Sequence, residues 1–190
     1  YPGAIVLEPK PGRHEKIAVL DFTSMYPSIM IAYNISPDTY VPPDAREGGE
    51  EYYFAPEVNH AFRKEPPGFY KKVLQRLLEA RKKIREEMKK LDPESIEYRI
   101  LDERQKAIKI IANATYGYCG WLGARWYKRE VAEATTAWGR RLIREAINIA
   151  RKLGLDVIYG DTDSLFVRYD RDRIEKFVEL VERELGFDIK

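Results

Sequence analysis

Two carboxylates stand two residues apart between two apolar runs near the end of this 190-residue chain. Asp161 and Asp163 follow residues 157–159 and precede residues 165–167, which predicts strand, tight turn and strand with the acids at the crest of a hairpin. Charges at the end of an apolar strand are costly without a partner, and side chains at i and i+2 project to one face. A divalent cation would satisfy both acids. The alternative is a solvated turn, since Asp and Gly are ordinary turn formers.

A third carboxylate, Asp21, ends another apolar run, residues 17–20. If that strand neighbours the hairpin, Asp21, Asp161 and Asp163 converge and can hold two Mg²⁺ ions roughly 3.5–4 Å apart, an arrangement that promotes phosphoryl transfer. Oxygen ligands without His or Cys favour Mg²⁺ or Mn²⁺ over zinc. The two histidines, His14 and His60, lie outside these segments.

The elements that must position these acids predict an α+β fold of the α/β type. We expect an antiparallel β-sheet with helices packed on one face, and a projecting antiparallel hairpin of two helices. Residues 1–29 are predicted as strands around the first acid, and residues 41–67, rich in Pro, Gly and charge, as mostly loop. Long helices are predicted from about Val131 to Leu153, ended by Gly154, and from Ile174 to Leu185, stopped by Gly186; both are scaffold.

The hairpin is predicted from a helix over about 70–91 and a second helix that reaches residues 109–117. Asp92 is expected to cap the second helix and Pro93 to open it. In the first helix, Arg81 and Arg85 share the apolar stripe, and in the second, Lys109 and Asn113 fall within one arc. In isolated helices, neither pattern would indicate function. The two arginines could bury their aliphatic stems and keep their charged ends in water, and the arc with Lys109 and Asn113 could be an ordinary solvent-exposed face.

Composition limits the function classes. The chain has 33 basic and 31 acidic residues, a net charge of +2 too mild to indicate nucleic-acid binding by itself, and its basic clusters fit exposed helix faces. Cys119 is the single cysteine, so no intrachain disulfide can form. No signal peptide or membrane-spanning stretch is visible, which predicts a reduced, cytoplasmic setting and no membrane partner. A charged fraction of 34% is typical of thermophilic sources.

Three segments resemble the conserved motifs of family B DNA polymerases, in that family's order. Residues 21–29 resemble motif A, Asp-x-x-Ser-Leu-Tyr-Pro-Ser-Ile, with Met25 in place of Leu. Residues 109–117 resemble motif B, Lys-x-x-x-Asn-Ser-x-Tyr-Gly, with Ala114 in place of Ser, and residues 159–164 match motif C without a change. Residues 34–39 and 124–127 are similar to archaeal members, so the resemblance covers nearly the whole chain.

The resemblance implies a DNA-directed DNA polymerase, which transfers a nucleotide from a dNTP to a primer 3′-hydroxyl. Residues 1–68 would form the first part of the palm, residues 69–118 the fingers, and residues 119–190 the second part of the palm. The exonuclease and thumb are expected to be absent. Partners would then be primer–template DNA, dNTP and the remaining polymerase domains or a thumb-bearing subunit.

The resemblance also implies roles for individual residues. Asp21, Asp161, Asp163 and Lys109 would be catalytic, and Asp21, Asp161, Asp163 and the Phe22 carbonyl would bind two Mg²⁺ ions, for which Mn²⁺ can substitute. The implied nucleotide-binding residues are Phe22, Ser24, Met25, Tyr26, Arg81, Arg85, Lys109, Asn113 and Tyr116. The implied DNA-binding residues are Tyr1, Gly3, Tyr116, Gly117 and Thr162.

Within these sets, Arg81 and Lys109 would grip the triphosphate, and the ring of Tyr26 would collide with a ribose 2′-hydroxyl. Arg85 stands where the family usually has Lys, which keeps the charge but not the geometry.

Two other readings stay open. A polymerase-like nucleic-acid-binding or assembly module without catalysis is one, although such a protein has no chemical reason to keep three acids together. Reverse transcriptases also place paired acids at a hairpin crest, but the spacing of Lys109 and Asn113 and the run over residues 24–28 favour family B.

Overall fold

The larger sheet places the first acidic strand beside the acidic hairpin. A computed structural model describes residues 1–190. Strands β1 (Ile17–Asp21), β5 (Val157–Asp161) and β6 (Ser164–Arg168) form an antiparallel sheet in the order β1-β6-β5. Ser164 pairs with Asp21 on one side and with Asp161 on the other. This register brings the end of β1 to the turn between β5 and β6.

Both edges of this sheet are covered by extended segments. Along β5, the Leu7 N–H donates to the Gly160 carbonyl at 2.8 Å. Along β1, the Asp21 N–H donates to the Lys190 carbonyl at 2.8 Å. The acidic strands are therefore interior to the hydrogen-bonded layer, and their backbone positions are fixed on both sides.

Helices cover one face of the sheet, as predicted. They are α1 (Met25–Ala32), α4 (Arg129–Lys152) and α5 (Arg171–Leu185). Fifteen of the 24 residues of α4 are buried, which makes it the central support. On the sheet, Leu20 and Leu165 are buried against the core, whereas the neighbouring Val19 is 47% exposed. The α+β class with an antiparallel sheet and one helical layer is confirmed.

The two-helix hairpin consists of α2 (Phe69–Met88) and α3 (Ile96–Gly120). The 20 residues of α2 span about 30 Å. The predicted start of the second helix is wrong by a few residues. Ser95 is the cap, and its hydroxyl accepts from the Tyr98 N–H at 3.1 Å, so neither Asp92 nor Pro93 opens α3.

Two further expectations needed correction. Residues 25–32 form α1 rather than strand, because Ser24 takes a left-handed conformation (φ 45°) that ends the extended backbone, and Pro27 is tolerated within the first turn. Residues 41–67 are mostly loop but carry a second antiparallel sheet, of β2 (Tyr40–Val41), β3 (Tyr52–Phe54) and β4 (Ala61–Arg63) in the order β2-β4-β3, and a 3₁₀ turn (Pro43–Ala45).

The glycine stops of the last two long helices are confirmed. Gly154 and Gly186 have φ values of 75° and 74°, which residues other than glycine rarely adopt. No helix in the chain combines the length and the apolar character needed to cross a membrane.

Candidate active site

A cleft of about 440 Å³ opens where the larger sheet meets the helical hairpin. Residues of the β1–α1 connection, of the β5–β6 turn and of both hairpin helices line it. Its lining residues are Asp21, Phe22, Thr23, Ser24, Met25, Tyr26, Pro27, Arg81, Lys109, Asn113, Thr162, Asp163 and Lys190. Segments far apart in sequence therefore form one mostly polar site.

Two of the three predicted acids, Asp21 and Asp163, line this cleft. The Phe22 N–H donates to the Asp163 carbonyl at 2.9 Å and ties the turn to the end of β1. Burial and the negative charge of Asp21 raise the pKa of Asp163. The like charges of these two carboxylates repel each other, which favours a bound cation between them.

Asp161 does not line the cleft. Its carboxylate accepts a hydrogen bond from the Thr162 hydroxyl at 2.9 Å. Asp163 lies in the turn rather than in the strand, and the intervening Thr162 has a φ of 48°. Besides burial and the charge of Asp21, the charge of Asp161 still contributes to the raised pKa of Asp163, and the role of Asp161 as a metal ligand stays a prediction. No group of three or more Asp, Glu, His or Cys side chains is placed to hold a metal ion.

The oxygen atoms that face or border the cleft are suitable ligands for a hard cation. Asp21 and Asp163 offer carboxylate oxygens, and the Phe22 carbonyl accepts none of the backbone hydrogen bonds at this end of the sheet. An oxygen-only set suits Mg²⁺, which keeps several waters in its coordination shell and needs few protein ligands.

The opposite wall of the cleft carries positive charge on the hairpin. Arg81 of α2 and Lys109 of α3 line it together with Asn113. Burial and the neighbouring Arg85 lower the pKa of Arg81, which still keeps its charge at neutral pH. Carboxylates facing cations across one cleft suit a ligand that brings metal ions and phosphates together.

Arg85 lies outside this cleft. It borders a separate depression of about 250 Å³ on the hairpin, together with Lys89 and Tyr98. The cleft as it stands therefore does not include Arg85, and the contact of Arg85 with a nucleotide stays a prediction.

Three tyrosines form a connected group at the edge of the cleft. The rings of Tyr26 and Tyr116 are 4.6 Å apart between centroids, and the hydroxyls of Tyr116 and Tyr1 are 3.0 Å apart. Burial and the charge of Asp163 raise the pKa of Tyr26, so its hydroxyl stays protonated. Gly139 of α4 supports Tyr26 from behind, since a Cβ there would lie 3.0 Å from the ring atom Cε1.

The amino-terminal residues are held by a buried arginine that the sequence assigned to an exposed basic cluster. Arg140 is 6% exposed and donates to the carbonyls of Pro2 and Gly3 at 3.0 and 2.7 Å. It also donates to Glu57, at 3.0 and 2.5 Å. The signal was present, because residues 136, 140, 143 and 147 follow the helical period of a core-facing stripe. Gly117, the remaining predicted DNA contact, lies on α3 with open space around it.

Residues 1–185 match the profile of DNA polymerase family B. The chain belongs to this family. The resemblance of the three motifs is thereby confirmed, and the cleft contains residues from each of them.

Family B relatives match the chain closely. It is 65% identical over 190 residues to DNA polymerase 2 of Aeropyrum pernix, and this match covers 100% of the chain and 24% of the relative. It is 50% identical over 193 residues to a DNA polymerase of Archaeoglobus fulgidus, with the same coverage. The chain thus spans about a quarter of the length of the curated relatives it matches.

A solved family B structure has the same fold. The DNA polymerase of the hyperthermophilic archaeon Pyrobaculum calidifontis superposes with a TM-score of 0.87 at 55% identity, covering 100% of this chain and 25% of that chain. Its source agrees with the archaeal resemblance and with the charged composition.

Proposed function

We propose that this chain is the catalytic core of a DNA-directed DNA polymerase, which adds deoxynucleotides to a primer 3′-hydroxyl. One observation carries the proposal: a single cleft places Asp21 and Asp163 of the sheet opposite Arg81 and Lys109 of the hairpin. Family membership supplies the reaction class, and the cleft supplies residues suited to it. The palm assignment of residues 1–68 and 119–190 and the fingers assignment of residues 69–118 belong to this proposal.

In the proposed reaction, the primer oxygen attacks the α-phosphorus in line, and the bond to the β-phosphate breaks to release pyrophosphate. A bound pair of Mg²⁺ ions would lower the pKa of the attacking hydroxyl and neutralise charge on the phosphates. Asp21, Asp163 and the Phe22 carbonyl would hold these ions, with Asp161 adding negative charge from outside the cleft.

The hairpin would bind the triphosphate. Arg81 and Lys109 supply hydrogen-bond donors with full charge, which stabilise the negative charge that grows on the leaving group. Lys109 can also protonate pyrophosphate, and Asn113 adds a neutral donor. The role of Arg85 stays a prediction.

The tyrosine group would select the sugar and the base pair. Tyr26 lines the cleft and is backed by Gly139, so a ribose 2′-hydroxyl would meet a ring with little room to retreat. Ser24 and Met25 would contact the nucleotide beside it. Contacts of Tyr1, Gly3, Tyr116, Gly117 and Thr162 with DNA are part of the same proposal, as are partner domains that hold the duplex. The cytoplasmic setting stays a prediction.

The alternative function is a non-catalytic nucleic-acid-binding or assembly module. A catalytic test separates the two functions.

The test is Mg²⁺-dependent extension of a labelled primer on a DNA template at low salt. The chain is compared with Asp163→Asn and with Asp44→Asn, an exposed acid outside the cleft. We expect extension by the parent and by Asp44→Asn, and a loss of at least about 100-fold for Asp163→Asn. Equal extension by all three would contradict the proposal. Failure of all three with retained Mg²⁺-dependent dNTP binding would indicate a core that needs its further domains, and failure of that binding would overturn the proposal.

A further inference from the structure

Arg81 is held by a side chain that lies outside the cleft. Its Nε–H donates to Oε1 of Gln105 at 3.0 Å, across the two helices of the hairpin. The Gln105 amide nitrogen in turn donates to Asp102 Oδ1 at 2.9 Å. Lys106 Nζ completes the chain of contacts, 2.6 Å from Asp102 Oδ2. Lys106, Asp102 and Gln105 of α3 thus form a connected series of contacts that leads to Arg81 of the cleft.

The direction of the Gln105 amide follows from its neighbours. An ionised carboxylate can only accept hydrogen bonds, so Gln105 must turn its NH₂ group to Asp102 and its oxygen to Arg81. The hydrogen bonds from Lys106 and Gln105 lower the pKa of Asp102, which keeps that carboxylate ionised. Asp102 therefore fixes Gln105 as an acceptor at the place where Arg81 needs one.

The contact leaves the phosphate-binding part of Arg81 free. Gln105 takes only the Nε–H, and no carboxylate forms an ion pair with the guanidinium. Both Nη groups keep their donors for a ligand in the cleft. A long, flexible side chain that is already oriented loses less conformational freedom on binding, which raises affinity without adding a contact.

We propose that Gln105, oriented by Asp102, is a positioning residue that presets Arg81 for the triphosphate of the incoming nucleotide. This inference rests on the proposed function, because it concerns the ligand of the same cleft. A purely structural role would be different: Gln105 would tie α2 to α3, and its loss would lower stability whether or not Arg81 is present.

The chain offers a matched control, since its two glutamines are Gln105 and Gln75. Gln75 is exposed on α2 and lies outside the cleft. The experiment measures the Kd of dATP with Mg²⁺ for the full chain and for Gln105→Met, Gln75→Met, Arg81→Ala and the Gln105→Met/Arg81→Ala double variant. Methionine keeps the length of glutamine and removes both hydrogen bonds.

We expect Gln105→Met to raise the Kd about tenfold and Gln75→Met to leave it unchanged. In the Arg81→Ala background, Gln105→Met should have no further effect, because the group it positions is gone. An unchanged Kd for Gln105→Met, or a tenfold effect that persists without Arg81, would overturn the inference.

The Nε–H signal of Arg81 in a ¹⁵N-labelled NMR spectrum reports the contact without any ligand. We expect it to be protected from exchange in the parent and in Gln75→Met, and lost in Gln105→Met. A parent that binds dATP but leaves this proton unprotected would overturn the inference and leave the proposed function intact. A parent that binds no dATP would overturn the proposed function and this role with it.

Discussion

The sheet body and the helical hairpin differ in how they are held. The main hydrophobic core contains 28 buried residues, of which only Tyr70, Leu74, Ala112 and Cys119 belong to the hairpin. Several other apolar side chains of the hairpin are exposed, among them Ile110 of α3 at 68%. The acids therefore lie on the body that holds most of the core, and the cations lie on a hairpin with few core residues. We expect the two regions to differ in stability.

The largest expected difference between the regions comes from removing apolar side chains. Leu165 of β6 is fully buried, so Leu165→Ala should lower the free energy of unfolding by about 2–5 kcal/mol. Ile110→Ala removes an exposed side chain of the hairpin and should change it by about 0.5 kcal/mol or less. Urea denaturation of both variants measures the contrast, and similar losses would show that the hairpin has a core of its own.

A smaller effect is expected where the hairpin joins the body. The Asp38 carboxylate accepts from the Phe69 N–H at 3.0 and 3.2 Å and caps α2, whose N-cap residue, Gly68, has no side chain to do so. Asp38→Ala should lower stability by about 1 kcal/mol. Hydrogen exchange should quicken first at the amides of Phe69 and Tyr70.

Asp44→Ala serves as the control for that cap, because Asp44 is an exposed acid away from α2. Faster exchange spread evenly over the body, rather than at the start of α2, would contradict a local capping role for Asp38.

The smallest effect concerns the pH dependence of the body alone. Hydrogen bonds from Arg140, and then from Arg144, lower the pKa of Glu57 in the folded chain. Its contribution to stability is therefore present above the ordinary glutamate pKa of about 4.3 and is lost as the pH falls through the lower folded value. Glu57→Gln should flatten the loss of unfolding free energy in acid. The same acid slope in the parent and the variant would contradict this account.

Long segments with a clear period could be predicted from the sequence. The strand–turn–strand over 157–168 and the helices α2, α4 and α5 were predicted because their apolar spacing persists. Helix α1 was missed because it is apolar on all sides, so its pattern does not distinguish helix from buried strand. The small sheet was missed because its strands are only two or three residues long.

The site was predictable where single residues end apolar runs. Asp21 was found because it ends such a run, and Asp163 because it lies two residues beyond the end of another; both line the cleft. Asp161, the last residue of β5, does not line the cleft, and its role as a metal ligand stays a prediction. Gln105 was missed because its partner Arg81 lies 24 residues away, and no local pattern encodes that contact. The helical stripe indicates that Arg140 is buried, but not that its partner is Glu57, which lies 83 residues away.

The most direct test of the central claim is a count of Mn²⁺ ions bound to the chain with dATP, by electron paramagnetic resonance. The account predicts two ions per chain for the parent and for Asp44→Asn, and fewer for Asp163→Asn, because Asp163 and Asp21 are the carboxylates of the cleft. Two ions still bound after Asp21→Asn and Asp163→Asn are combined, or none bound by the parent, would contradict it.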